Sequence, residues 1–298
     1  MRDPSSAASD VGSHRGSWPA LARLIRLGNQ TGTLLLLLPT LWSLVLAEHG
    51  VPDVRLLGTF VLGSFLMRSA GVVLNDLADR EYDRRVVRTQ RRPLATGEAT
   101  PKQAMTIAAA LVGSAALLVL TLNPLTLSLS PIAVCLAALY PFAKRFIHVP
   151  QAMLGLAFGW GTIMAWAASR GTVELPAWLL FMATVCWAIG YDTIYALQDA
   201  DDDRRIGVKS SALFFGDFTW LAVGLSLAGM VLLVGAAGWL SGTGPICYGA
   251  LSVVGALCVR QVRELRRSVN PLRAFELFHQ HVWFGSVILG GLVAGFLW

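Results

Sequence analysis

The sequence has few charged residues for its length. Only 14% of its 298 residues are charged, whereas soluble domains on average carry roughly 25%, so the chain lacks the polar surface of a water-soluble globule. It also lacks the usual metal and disulfide patterns, because its four cysteines form no CxxC pair and its five histidines form no HExxH. These absences argue against a soluble enzyme, a secreted disulfide scaffold and a zinc site.

Hydrophobic residues, by contrast, make up 55% of the chain and are grouped in long uncharged runs. Runs of about 18–20 such residues are typical of membrane-spanning helices. The sequence therefore predicts an all-α, polytopic membrane protein. The nine predicted spans are 31–48, 56–75, 104–121, 125–142, 152–169, 176–198, 219–240, 244–260 and 280–298.

The basic residues predict the orientation of these spans. Of the 24 lysines and arginines, all but Arg55, Arg68 and Arg170 fall on one side of the nine-span arrangement, which the positive-inside rule assigns to the cytosol. We therefore expect a multi-pass protein of a prokaryotic inner membrane, with a flexible cytosolic tail (residues 1–22) and a single transmembrane domain (residues 23–298). The net charge of +6 is attributed to topology, so no nucleic-acid partner is expected.

Two clusters of acidic residues end the second and sixth predicted spans. The first, in NDLADREYD, contains Asn75, Asp76, Asp79 and Asp83, and the second, in DTIYALQDADDD, contains Asp192, Asp199 and Asp203. Residues three, four or seven positions apart share one face of a helix, so each cluster is expected to present its carboxylates together. Like charges on one face repel each other, and a bound cation would relieve that repulsion.

The residue types in the two clusters indicate Mg²⁺, because oxygen ligands without His or Cys favour a hard cation. Mg²⁺ usually binds one or two carboxylates and completes its shell with water and substrate phosphates. Two clusters on different helices are therefore expected to hold a diphosphate between them. Nearby bases that would neutralise phosphate oxygens include Arg88, Lys144, Arg145 and Lys209, while Arg84, Arg85, Arg91 and Arg92 can also be interpreted as charges that only set topology.

At this point the motifs resemble those of the UbiA superfamily of intramembrane aromatic prenyltransferases. NDLADREYD matches the NDxxDxxxD signature of that superfamily, and DTIYALQDADDDRRIGVKS matches its second aspartate signature. The segments TGTLLLLLPTLW, RTQRRPLATGEAT and YPFAKRFIHVPQAMLGLAFGW are similar to the 4-hydroxybenzoate polyprenyltransferase branch. The resemblance extends from Arg23 nearly to the C-terminus, and it implies nine helices around a central, lipid-open cavity with a cap of cytosolic loops.

The resemblance also implies an activity and residue roles. The activity is Mg²⁺-dependent transfer of a polyprenyl group from polyprenyl diphosphate to 4-hydroxybenzoate, ortho to its hydroxyl, in ubiquinone or plastoquinone biosynthesis within the membrane lipid. The implied ligands of Mg²⁺ and the diphosphate are Asn75, Asp76, Asp79, Asp83, Asp199 and Asp203, with Lys209 also at the diphosphate, and Lys144 is a further candidate because it is one of the nearby bases. Arg145 would contact diphosphate or acceptor, Tyr140 would face the developing cation, and Arg26 and Arg68 would bind the acceptor carboxylate. Asp192 is a hypothesised binding residue or proton acceptor.

Three alternatives stay open from the sequence. The first keeps the superfamily but changes the acceptor to homogentisate, dihydroxynaphthoate, a chlorophyllide or haem. The second is a divalent-cation carrier or channel, which would use the aspartates as a selectivity ring. The third is a phosphatase or phosphotransferase acting on lipid diphosphates.

Overall fold

The computed structural model describes residues 17–207, 209–267 and 269–297, with the side chains of Lys144 and Ile206 left outside that description. In this described part the regular structure is helical, with no β-strand. Nine of its segments are long and apolar enough to cross a membrane, which agrees with the predicted fold class. The long helices are α2 (Thr31–Glu48), α3 (Val54–Ala78), α6 (Pro101–Val119), α7 (Pro124–Leu139), α9 (Gln151–Arg170), α10 (Leu175–Ala196), α13 (Thr219–Leu240), α14 (Pro245–Leu265) and α15 (Pro271–Gly295).

Short helices connect the long ones, mainly on the side that carries both aspartate clusters, which we call the aspartate side. They are α1 (Trp18–Leu24), α4 (Arg80–Asp83), α5 (Pro93–Thr96), α8 (Ala143–Phe146), α11 (Ala200–Ile206) and α12 (Ser211–Phe215). Helix α1 crosses the predicted boundary between tail and domain at residue 22. It packs onto the domain, since Leu24 is fully buried against Val73 and Leu94. Residues 1–16 of the predicted tail lie outside the described residues, and the division into a tail and one domain stays a prediction.

The predicted ends of the last two spans are wrong. Helix α14 continues to Leu265 instead of ending at 260, and α15 begins at Pro271 instead of 280. Asn270 caps α15 by accepting a hydrogen bond from the backbone N–H of Arg273 at 2.8 Å, and proline is favoured in the first helical turn. The charged residues that interrupted the apolar pattern pair with one another, since Arg273 bonds to Glu264 at 2.5 Å and to Glu276 at 2.6 Å.

The nine spanning segments form a closed ring. Each packs against the next along the chain, and α15 returns to pack against α2. Helix α2 also packs against α9, and Ser43 of α2 donates a hydrogen bond to the Thr162 carbonyl of α9 at 2.7 Å. Helices α9 and α10 approach so closely that a Cβ on Gly155 would lie 2.7 Å from the Val185 Cα. The ring thus has one tightly packed wall, formed by α2, α9 and α10.

The outer surface of the ring is apolar. Large side chains such as Leu225, Leu232 and Trp283 are 67%, 73% and 73% exposed, which would be costly in water but suits contact with lipid tails. The polar residues that carry the chemistry lie instead at the aspartate side and along an internal cavity.

Candidate active site

The first aspartate cluster lies where α3 ends. Helix α3 stops at Ala78, and the short helix α4 follows after Asp79, whose backbone N–H donates to the Asn75 carbonyl at 2.9 Å. This turn brings three carboxylates inward, and Asp76, Asp79 and Asp83 are only 1%, 3% and 6% exposed. The Asn75 side-chain amide donates to Asp79 at 3.2 Å. A carboxylate buried to this degree needs partners or a cation.

The second cluster, like the first, spans two helices instead of one, so the expectation of a single continuous helix is wrong for both clusters. Helix α10 ends at Ala196, and Asp199 is the N-cap residue of the separate helix α11. The break nevertheless keeps the three carboxylates together, because Asp192, Asp199 and Asp203 all line one small cavity of about 210 Å³. Three acidic residues at an exposed helix start are also favoured by the helix dipole, which explains why the second helix begins here.

The same small cavity brings the two clusters together. Asn75, Asp79 and Asp83 line it from the first cluster, opposite the residues of the second. All of these ligands offer oxygen, the donor type that Mg²⁺ prefers, so the set fits a hard divalent cation in its chemistry. Among the residues that the structure describes, however, no three acidic, histidine or cysteine side chains are grouped closely enough to hold a metal ion. Several of these carboxylates are instead paired with arginines.

Arg92 bridges two carboxylates of the first cluster. Its Nη1 lies 2.9 Å from Asp76 and 2.9 Å from Asp83, and Asp76 is also 3.0 Å from Arg26. Burial opposes the charge on Arg92, but the two carboxylates outweigh it and raise its pKa. Burial dominates at Arg26, whose pKa is lowered although Asp76 partly offsets the effect. Arg26 reaches Asp76 from a left-handed backbone conformation (φ 56°), which is uncommon for a residue other than glycine.

Arg88 makes the corresponding contact with the second cluster. Its Nε donates to Asp199 at 2.9 Å, and its Nη1 donates to the Tyr195 hydroxyl at 2.8 Å. The guanidinium also lies over the Tyr195 ring, 5.1 Å from its centroid. Burial opposes the charge on Arg88, but the hydrogen bond to Asp199 and the negative charges of Asp199 and Asp83 together with Tyr195 raise the pKa of Arg88 above its usual value. Charge-assisted contacts of this kind are among the strongest in proteins.

A large cavity of about 1070 Å³ begins at these ion pairs and runs into the ring. On α3 its lining extends from Asp76 back to Thr59, roughly 25 Å at 1.5 Å per residue. Its deeper wall is mostly apolar and includes Leu35, Phe60, Val112, Leu118, Leu154 and Phe158. Polar residues are concentrated near the mouth. The cavity can therefore take a long apolar chain whose charged end stays at the aspartate side.

Of the arginines that line the large cavity, Arg68 is the one that belongs to a spanning helix, α3. Its Nε is buried without a hydrogen-bond partner among the described residues. The guanidinium lies over Gly32 of α2, where a Cβ would be 2.5 Å from Arg68 Nε. The Tyr191 hydroxyl is also buried and unpartnered there. An unpaired buried polar group is costly, so these two groups indicate a binding site for an anionic or hydrogen-bonding ligand.

Tyr191 packs against a buried network of hydrogen-bonded side chains. Its ring packs edge-on against Trp187 at 5.4 Å, and the Trp187 indole donates to His281 Nδ1 at 2.9 Å. His281 Nε2 lies 3.0 Å from Gln261, whose amide donates to the Leu277 carbonyl at 2.9 Å. These bonds tie α10 to α14 and α15 at the level of the site.

Asp192, Tyr140 and Tyr195 line both the small and the large cavity. They therefore mark the junction between the charged mouth and the apolar interior. Any ligand with a charged head in the small cavity and an apolar tail in the large one would pass these three side chains.

A family model described as the UbiA prenyltransferase family matches residues 36–287. The chain belongs to this family. The 4-hydroxybenzoate octaprenyltransferase of Thiobacillus denitrificans is 47% identical over 275 residues, which is 92% of this chain and 94% of the relative. The enzyme of the same name from Salmonella paratyphi C is 45% identical over 277 residues, covering 93% of this chain and 95% of the relative.

Solved UbiA structures share the fold. An apo UbiA homolog from Aeropyrum pernix K1 superposes with a TM-score of 0.76 at 24% identity, covering 88% of this chain and 97% of that one. A UbiA homolog from Archaeoglobus fulgidus bound to GPP and Mg²⁺ superposes with a TM-score of 0.62 at 17% identity, covering 90% of this chain and 99% of that one.

Two of the predicted site residues of this UbiA protein, Arg145 and Lys209, lie apart from the two cavities. Arg145 donates to the Ala78 carbonyl at 2.9 Å, and Lys209 donates to the Phe146 carbonyl at 3.0 Å. Neither side chain lines the small or the large cavity. The Lys144 side chain lies outside the described residues. The roles of these three bases stay predictions.

Other site residues were not singled out from the sequence. Arg92 was open to interpretation as a topology charge, although it lies nine residues after Asp83 in the RTQRRPL segment. Tyr195 lies three residues after Asp192 and four before Asp199, so helical spacing could have placed it on the same face as both. For Tyr191 and Gly32 no comparable pattern exists, because their role depends on how separate helices pack.

Proposed function

We propose that this protein transfers a polyprenyl group from polyprenyl diphosphate to the ring of 4-hydroxybenzoate, ortho to the hydroxyl, with Mg²⁺ as cofactor. The main support is the junction of the two cavities, where both aspartate clusters and their arginines adjoin an apolar cavity that is also lined by Arg68. The relatives from Thiobacillus and Salmonella carry this activity in their names, and an Archaeoglobus homolog is bound to GPP and Mg²⁺. These similarities support the proposed substrates.

The diphosphate would bind in the small cavity. Mg²⁺, held by oxygens of Asp79, Asp83, Asp199 and Asp203 with Asp76 nearby, would supply Lewis-acid charge to the diphosphate. Arg26, Arg88 and Arg92 would bind the remaining phosphate oxygens, since planar guanidinium groups match phosphate geometry. The allylic C–O bond then breaks, and its electron pair leaves with the diphosphate, whose growing charge these cations stabilise.

The large cavity would protect the allylic cation that forms. Its apolar wall excludes water, which would otherwise capture the cation, and the faces of Tyr140 and Tyr195 at the junction can stabilise positive charge. The remaining prenyl chain would lie along the lining of α3, where it stays out of water, an advantage of about 0.8 kcal/mol per CH₂ relative to exposure. Chain binding and cation protection thus use the same surface.

Arg68 would orient the acceptor. Its unpartnered Nε is available to the carboxylate of 4-hydroxybenzoate, and this contact turns the phenol end toward the junction. The ring carbon ortho to the hydroxyl forms the new C–C bond with the allylic carbon. The proton from that carbon goes to Asp192, which lines both cavities and restores the aromatic ring by accepting it.

An acceptor panel tests this proposal. Purified protein is incubated with Mg²⁺, a radiolabelled prenyl diphosphate and either 4-hydroxybenzoate, homogentisate or dihydroxynaphthoate. We expect a prenylated product from 4-hydroxybenzoate and at least about 100-fold less from the other two, because neither of them carries a ring carboxylate para to a hydroxyl for Arg68 to orient. No product from 4-hydroxybenzoate would contradict the proposal. Free prenol without any aromatic product would favour a phosphatase instead.

We also propose that the aspartate side faces the cytosol. The support is the concentration of lysine and arginine on that side. In a variant without native cysteines, Asp201→Cys should react with a membrane-impermeant maleimide only after cells are permeabilised. Val51→Cys, at the other end of the ring, should react in intact cells, since Val51 is 75% exposed. The opposite labelling pattern would contradict this orientation.

A further inference from the structure

Two of the carboxylates proposed to bind Mg²⁺, those of Asp83 and Asp199, are engaged by arginines in this structure, and so is the neighbouring Asp76. Arg92 bridges Asp76 and Asp83, while Arg88 holds Asp199. Asp76 is 1% exposed, and its charge is compensated by the guanidinium groups of Arg92 and Arg26 instead of by water. A cation that binds Asp83 or Asp199 would have to compete with an arginine for that carboxylate.

Both arginines come from one segment and lie between the two proposed subsites. Arg88 and Arg92 belong to the loop that joins α4 to α5, and each lines both the small and the large cavity. A rotation of their side chains alone would therefore bring them from the carboxylates to a diphosphate bound alongside. Guanidinium groups bind phosphate oxygens as readily as carboxylates.

We propose that Arg88 and Arg92 are exchangeable counter-cations, which hold the aspartates in the substrate-free protein and transfer to the diphosphate when it arrives with Mg²⁺. This inference rests on the proposed function, because it requires a metal–diphosphate ligand. In the exchange, carboxylate oxygens released by the arginines become available to the metal, and the released guanidinium groups bind the diphosphate. Every charge therefore keeps a partner.

The exchange has a thermodynamic consequence. Mg²⁺ alone would have to displace the arginines without offering them new partners, so the metal alone binds weakly. When Mg²⁺ and diphosphate bind together, the metal offers a partner to the carboxylates and the diphosphate offers one to the arginines. Each ligand therefore strengthens the binding of the other, by the same factor in both directions. Removing one arginine should therefore have opposite effects on the two ligands, namely tighter binding of metal alone and weaker binding of the metal–diphosphate.

The first measurement is binding of Mn²⁺ alone, followed by EPR of the free ion with the full chain in detergent. We expect Arg92→Gln to bind Mn²⁺ at least about tenfold more tightly than the wild type, which corresponds to about 1.4 kcal/mol. Arg88→Gln should act in the same direction, and it serves as a second variant because Arg88 is 36% exposed and its loss is less disruptive to folding.

The matched control is Arg204→Gln. Arg204 lies on α11 beside the second cluster, but its side chain is 74% exposed, pairs only weakly with Asp201 at 4.0 Å and lines neither cavity. It therefore measures the general effect of removing one positive charge near the aspartates. An increase in Mn²⁺ affinity for Arg88→Gln and Arg92→Gln no greater than for Arg204→Gln would overturn the inference.

The second measurement is calorimetric binding of farnesyl thiodiphosphate, which cannot react, at saturating Mg²⁺. We expect Arg88→Gln and Arg92→Gln to bind it at least about tenfold more weakly than the wild type, and Arg204→Gln to bind it within about threefold. Unchanged affinity in the first two variants overturns the inference. Failure of the proposed function is distinct, because the wild type itself would then bind no thiodiphosphate with Mg²⁺.

Discussion

Gly32→Ala tests whether Arg68 positions the acceptor without altering Arg68 itself. A Cβ at residue 32 would lie 2.5 Å from both Arg68 Nε and Nη2 and 2.8 Å from Cζ, well inside van der Waals contact. The clashing atoms are the end of a flexible side chain, so the guanidinium moves by about 1 Å while the backbone keeps its place. The variant should therefore fold normally with a displaced arginine.

The expected effect is on the acceptor alone. A hydrogen bond to a charged group contributes about 1.5–3 kcal/mol, and 1.4 kcal/mol is a factor of ten, so the KM for 4-hydroxybenzoate should rise about 10- to 100-fold. The KM for the prenyl diphosphate should stay within about threefold, because Gly32 does not line the small cavity. The preference for 4-hydroxybenzoate over its neutral analogue 4-hydroxybenzamide should fall by a similar factor.

The assay is steady-state transfer of a radiolabelled prenyl group with each substrate varied in turn. Gly58→Ala is the control, since Gly58 lies on the same helix as Arg68 and a Cβ there has open space within 4 Å. The reasoning is refuted if Gly32→Ala keeps the wild-type KM for 4-hydroxybenzoate, or if both substrates lose affinity equally.

Three further outcomes are expected from the same assay. Asp199→Asn should lower transfer by about 10²- to 10³-fold through lost charge stabilisation, whereas Asp201→Asn, at an 89% exposed side chain, should stay near the wild type; equal losses would contradict the assignment. Removal of divalent cations with EDTA should abolish transfer, and Mg²⁺ should restore it, so activity that survives EDTA would exclude the proposed cofactor. Asp192→Asn should lower kcat by about 10²-fold or more with little change in either KM, as expected for loss of a proton acceptor, and a change confined to KM would indicate a binding role instead.

The spanning helices were predictable because each is a long apolar run. The exceptions were the ends near Leu265 and Pro271, where charged residues continue a helix beyond the apolar pattern. Hydropathy treats Arg273 and Glu264 as interruptions, but their mutual ion pair keeps both inside helices. Pairing across helices is a tertiary property, and no local pattern contains it.

The carboxylates of the candidate site were predictable from the sequence, but the arginines that pair with them were not. Regular spacing marked Asp76, Asp79 and Asp83, although the continuous helices that it predicted are broken at Asp79 in the first cluster and after Ala196 in the second. The bridge from Arg88 to Asp199 joins residues 111 positions apart. Several arginines have similar sequence surroundings. Only the folded geometry distinguishes those that contact carboxylates from those that set topology.

That bridge also has a consequence for how the protein is made. The first cluster is balanced by a neighbour in sequence, since Asp76, Asp83 and Arg92 lie within one short stretch that leaves the ribosome together. Asp199 depends on Arg88, which has been synthesised long before it. The early helices can therefore enter the membrane as a self-neutralised unit, whereas the later acidic motif completes its charge balance only by docking onto them.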